Sequence, residues 1–113
     1  MFEEDVSKEF APYTRLYQEY ITRVATRSNG APGTNGEQIV WQFPNGYGAS
    51  LSNTSGNIEL AVMREDDQGR WRLCYTTPVT PDVVIVAGEE KCGSMLKEIL
   101  ALDSVRWDFE NER

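Results

Sequence analysis

Histidine is absent from this 113-residue chain. Its absence excludes Ser-His-Asp and Cys-His catalysis, imidazole proton shuttling and any zinc site that uses histidine. Cysteine is scarce. Cys74 and Cys92 are the only two, so a four-cysteine zinc site within one chain is excluded as well. Basic residues are outnumbered, 11 against 18 acids, for a formal net charge of −7. A chain with that balance is repelled by nucleic acid and by anionic membranes, and no direct binding to either is expected. No apolar run reaches the roughly 18 residues that a membrane-spanning helix needs. The opening residues, Met1-Phe2-Glu3-Glu4-Asp5, are acidic and lack the apolar stretch of a secretory signal. A cytoplasmic address is therefore expected. There the two cysteines stay reduced and unbridged. No cofactor or metal is expected.

What is present fits one small globular domain covering 1–113: 40% of residues are hydrophobic and 26% charged. Between residues 10 and 28, Phe10, Tyr13, Leu16, Tyr17, Tyr20, Ile21 and Val24 recur at helical spacing. That period predicts an N-terminal helix over 10–28, with Pro12 in its first turn. Residues 29–37 (NGAPGTNGE) form a loop by composition. Their glycines evoke a phosphate loop, but they follow a helix pattern and no Lys-Ser or Lys-Thr closes them, so a plain connection is the better reading.

The period then drops to two, which predicts an antiparallel sheet of three to four strands over 38–76. Ile39, Trp41 and Phe43 alternate with polar neighbours. Asn45-Gly46 reads as a two-residue type I′ turn. Ile58, Leu60 and Val62 alternate again, and Asp66-Asp67-Gln68-Gly69 reads as a four-residue loop. That loop sets Glu65 opposite Arg70, Arg64 opposite Trp71, Val62 opposite Leu73 and Leu60 opposite Tyr75. Residues 82–86 (DVVIV) fit a buried strand or a helical turn. A second helix is predicted over 88–102, with Cys92, Met95, Leu96, Ile99 and Asp103 on one face. In the tail, 104–113, Val105, Trp107 and Phe109 alternate with charges. The expected fold is a two-layer α+β domain, with two helices covering one face of a β-meander.

Three segments, FPNGYGAS at 43–50, IELAVM at 58–63 and LCYTTPVTPDVV at 73–84, together with LKEILALD at 96–103, carry a resemblance. Residues 38–103 look like a group of small uncharacterised proteins encoded by tailed bacteriophages. The resemblance implies a phage setting and no mechanism.

Each candidate for chemistry has a plainer structural reading. Cys74, on the mixed face near Arg72, and Cys92, near a helix start, have neighbours that lower a thiol's pKa. Neither has a histidine as base; a half-buried structural role explains Cys74, and core packing explains Cys92. Glu65, Asp66 and Asp67 lack the alternating oxygen ligands of a calcium loop and read as a solvated hairpin tip. The arginines are dispersed. Trp107 and Phe109, flanked by Asp108 and Glu110, either pack back as an edge strand or present a docking segment.

The functional expectation is a non-enzymatic phage-type accessory protein. It would bind and modulate or inhibit a host protein of the nucleic-acid-handling or defence machinery through an acidic surface. Glu65, Asp66, Asp67, Trp107, Asp108, Phe109 and Glu110 are the contact candidates, and opposite charge would speed the docking. Two alternatives stand beside it. One is a small-ligand module with an aromatic pocket lined by Tyr13, Tyr17, Trp41 and Tyr75. The other is a virion or assembly component that self-associates, and a homodimer fits that reading.

Overall fold

A computed structural model describes residues 6, 9–28, 35–53, 57–74, 76–77, 79, 83–86 and 88–104. Two 3₁₀ turns, Ala11–Arg15 and Gln18–Tyr20, lead into strand β1 (Ile21–Ser28). Strands β2 (Asn35–Gln42), β3 (Tyr47–Asn53), β4 (Ile58–Glu65) and β5 (Trp71–Leu73) follow, each antiparallel to the one before. A two-residue strand, β6 (Val84–Ile85), also pairs with β4, and helix α1 (Glu89–Leu100) is the last element among the described residues. The fold is α+β, as expected, but the sheet, expected as three to four strands over 38–76, has six strands between Ile21 and Ile85, and the predicted helix over 10–28 does not form.

Two features explain that correction. Trp41 is fully buried, and its indole nitrogen needs an acceptor. The Leu16 carbonyl accepts that bond at 2.7 Å. In an α-helix the same carbonyl would be held by the amide four residues on. Here Leu16 is extended (φ −82°, ψ 122°) and Tyr17 is left-handed (φ 46°), so the helical path is broken. The second feature is a bulge. Ile21 pairs with Trp41 and Arg23 with Val40, leaving Thr22 as the extra residue of β1. The bulge turns Ile21 and Val24 to the same face and both join the core. An i, i+3 spacing thus arises in a strand rich in β-branched residues and imitates a helix.

The core lies on one face of the sheet. Ile39 and Trp41 of β2, Ala49 and Leu51 of β3, and Leu60 and Val62 of β4 point into it. Helix α1 lies across β3 and adds Cys92, Met95, Leu96 and Ile99, as its 3.6-residue period predicted. Asp103, placed on that same face by the sequence, is exposed beyond the helix end. Gly88, whose φ of 147° suits glycine, caps the start of helix α1, which carries Glu89 and Glu90 in its first turn. Its other end is held by Asn45. The Asn45 Nδ2 group donates to the carbonyls of Ile99 (2.9 Å), Leu100 (3.2 Å) and Leu102 (3.0 Å). The Ile99 and Leu100 carbonyls are among the groups a helix end leaves without an intrahelical i+4 donor, and the Leu102 amide also donates to Ile99 (3.1 Å).

Both tight hairpins differ from expectation by one residue. In the β2–β3 turn, Phe43 N bonds Tyr47 O (2.8 Å) and Gly46 N bonds Phe43 O (3.1 Å). Gly46 is left-handed (φ 87°) and Asn45 is not, which excludes the type I′ turn. The β4–β5 turn repeats the pattern: Asp66 N to Arg70 O (2.7 Å), Gly69 N to Asp66 O (3.0 Å), and Gly69 at φ 81°. Each is a three-residue loop closed by a left-handed glycine. One residue of loop length flips every later side chain to the other face. Met63 therefore faces Leu73, Arg64 faces Arg72 and Glu65 faces Trp71, in place of the predicted register. Cys74 turns inward and is buried, while Leu73 turns outward and is 51% exposed.

Replacing Leu60 by Ala should cost about 2–5 kcal/mol, the range for a fully buried aliphatic, and replacing Leu73 by Ala no more than about 0.5 kcal/mol. Equal losses in urea unfolding would contradict the register. Trp41→Phe leaves the Leu16 carbonyl without its donor and should cost about 1–3 kcal/mol for that bond alone.

Candidate functional site

The face of the sheet opposite α1 carries Val40, Ser50, Ala61, Met63, Glu59 and Glu65, with Trp71, Leu73 and Ile85 along one margin. Strands β5 and β6 share the far side of β4. Trp71–Leu73 runs beside 63–65, and Val84–Ile85 beside 59–60. They form an edge strand in two pieces, and among the described residues no strand pairs with its outer side.

The hydrogen-bond ladder sets which way the main chain of that edge faces. Cys74 N donates to Val62 O (2.8 Å) and Val86 N to Ile58 O (2.8 Å). In an antiparallel pair, alternate residues turn both backbone groups to the same neighbour. Residues 72, 74, 84 and 86 thus face β4, and Trp71, Leu73 and Ile85 turn their N–H and C=O groups to the open side. The side chains of those three residues stand on the outer face of the sheet. Ile85 is 60% exposed, the most of any large apolar residue described. The Trp71 ring lies over Gly48, its Cζ3 only 3.1 Å from where a Cβ there would sit. Any side chain at Gly48 would also collide with the Trp41 carbonyl, so glycine leaves the space that the indole covers.

The acidic candidates separate. Glu65 stands on this outer face, opposite Trp71. Asp66 is engaged locally. One of its oxygens accepts from the amides of Gln68 and Arg70 (2.9 Å each). The other accepts from Arg70 Nε (3.3 Å) and Arg72 Nε (2.9 Å). These donors, the Arg70 amide foremost and the Arg72 guanidinium next, hold its carboxyl far below the usual carboxylate range. Asp67 is exposed at the tip. Trp107, Asp108, Phe109 and Glu110 lie outside the described residues, as does the acidic run at 3–5. The predicted Glu65–Arg70 and Arg64–Trp71 pairs are replaced by the Asp66 cluster, a consequence of the shifted register.

The other candidates are core residues. Cys74 and Cys92 are buried and unbridged. Burial pushes the Cys92 thiol up to about 12, the reverse of an activated nucleophile. Cys74 Sγ lies 3.4 Å from Thr76 Oγ1. Of the aromatic pocket proposed above, Tyr13 and Trp41 are buried in the core. Burial first, then Cys92 and Glu89, raises the pKa of Tyr13. Tyr17 and Tyr20 meet Phe43 edge-on, at 6.1 and 5.3 Å between ring centres. Tyr75 is outside the described residues. Among the described residues, no three acidic or cysteine side chains gather as a metal site, and no helix is long and apolar enough to cross a membrane.

Sequence reasoning missed Leu73 and Ile85 as surface residues. The signal was Gly69. Its left-handed position at the third place of a loop would have fixed the register. The chain matches no family model, no curated protein and no solved structure.

The Asp66 cluster has a pH signature. A carboxyl held below its unfolded value of roughly 3.9 stabilises the fold above that pH. The contribution is lost as pH falls toward the lowered folded value. Wild type should thus exceed Asp66→Asn in thermal stability at pH 7, and the gap should close progressively below about pH 4. A gap independent of pH between 7 and 2, far below the ordinary range, would show that the carboxylate does not hold the hairpin.

Proposed function

We propose that the protein is a non-enzymatic accessory protein that acts by binding another protein through the outer face of its sheet. The phage setting implied by the sequence resemblance makes a host protein the partner. The observation that carries the reading is the exposure of Leu73 and Ile85, 51% and 60%, on an edge whose backbone groups are turned outward. Apolar side chains gathered at an open edge mark a surface that another chain covers. Extended segments add to such edges, taking affinity from main-chain hydrogen bonds and specificity from alternate side chains. The buried, unactivated Cys92 fits a role without chemistry.

The test compares wild type with the Leu73→Asp/Ile85→Asp double variant as baits in a bacterial host lysate. Both residues are exposed, so the variant should melt within a few degrees of wild type. Wild type should retain a stoichiometric protein that the variant loses. Equal retention by both baits, or none by wild type at low salt, would overturn the reading.

A further inference from the structure

The same surface also has a charge pattern. Glu59 and Glu65 stand on the outer face of β4, opposite Ile85 and Trp71. Six residues of strand place them roughly 20 Å apart, at about 3.4 Å per residue. Between them lie Ala61, itself buried, and the half-buried Met63, with the exposed Leu73 beside Met63. Among the described residues neither glutamate has a cationic partner. The two basic side chains nearest in sequence on β5 and its turn, Arg70 and Arg72, are turned to Asp66 instead. The surface is therefore an apolar strip with an unneutralised carboxylate at each end.

Resting on the docking reading above, we infer that the strip takes an extended segment of another protein, apolar at its centre and basic at both ends. Its strand runs along the outer side of β5 and β6. Main-chain bonds form at Trp71, Leu73 and Ile85, the apolar side chains cover Leu73 and Ile85, and the terminal cations reach Glu65 and Glu59. Complementary end charges fix register, which a three-residue edge strand alone fixes poorly. The same charges disfavour a second copy of this chain. Two strips face to face bring four carboxylates together, on molecules that each carry −7.

Three synthetic peptides test this on the full-length protein by fluorescence anisotropy at low salt. The first is a heptapeptide with arginine at positions one and seven, valine at three and five, and threonine between. The second replaces both arginines by glutamate. The third is the chain's own SVRWDFENER. The first peptide should bind at least tenfold more tightly than the second, and Glu59→Gln/Glu65→Gln should erase that preference while leaving the melting temperature unchanged. Equal binding of the first two, abolished by Leu73→Asp, would overturn the charge rule and leave the docking surface standing. So would failure of both while the lysate partner remains Leu73-dependent. Preferential binding of the third peptide would assign the strip to the chain's own C-terminus. Concentration-dependent dimerisation abolished by Leu73→Asp would assign it to a second copy. Either result overturns the inference. Failure of all peptides together with a Leu73-independent partner would remove the docking reading itself.

Discussion

A buried indole nitrogen requires an acceptor, and the path of the first part of the chain follows from how Trp41 finds one. The ring is fully enclosed and sits at the centre of the core. A donor left bare there would carry the full desolvation cost. The Leu16 carbonyl that serves lies where the chain is extended, so it meets the indole without a competing amide from four residues on. With Leu16 extended and Tyr17 left-handed, the chain is released to pair along β2. A single side-chain bond thus goes with an eight-residue edge strand where the local pattern favours a helix.

The legible parts of the fold were those where one period holds without interruption. The core face of α1 follows from the spacing of Cys92, Met95, Leu96 and Ile99, and the inward residues of β2 and β4 follow from simple alternation. The illegible parts are places where one residue interrupts a period. Thr22 as a bulge makes Ile21 and Val24 imitate a helix. Gly46 and Gly69 each lengthen or shorten a turn by one residue relative to the obvious reading. The candidate surface lies downstream of Gly69. One miscounted loop residue was enough to hide Leu73 inside the core and bring Cys74 to the surface. Of the acidic residues singled out, Glu65 keeps its place on the surface. Asp66 is tied down by donors that no composition count reveals.

The two faces of the sheet have different demands. On the α1 side, large side chains fill space down to full burial. On the other, the small residues Gly48, Ser50 and Ala61 sit among Val40 and Met63, and Trp71, Leu73 and Ile85 stand at the margin. Division of the edge into two short pieces limits how long a run of free backbone is offered. Short edge strands are a known guard against indiscriminate pairing. An edge that is short and flanked by carboxylates discriminates among visitors more sharply than a long neutral one.

Asn45 has a consequence for the order in which the molecule assembles. From β1 to β5 each strand pairs with the next in sequence, so the meander can zip through a series of short loop closures, each entropically modest. The bond from Asn45 to the Ile99 carbonyl spans 54 residues and needs the β2–β3 turn already shaped. This topology favours docking of α1 on a sheet already formed, and the reverse of that step would be a partial opening in which the helix end departs while the ladder persists. Amide protons of α1 would exchange with solvent at a lower free-energy cost than those of β3, giving one small domain two tiers of stability.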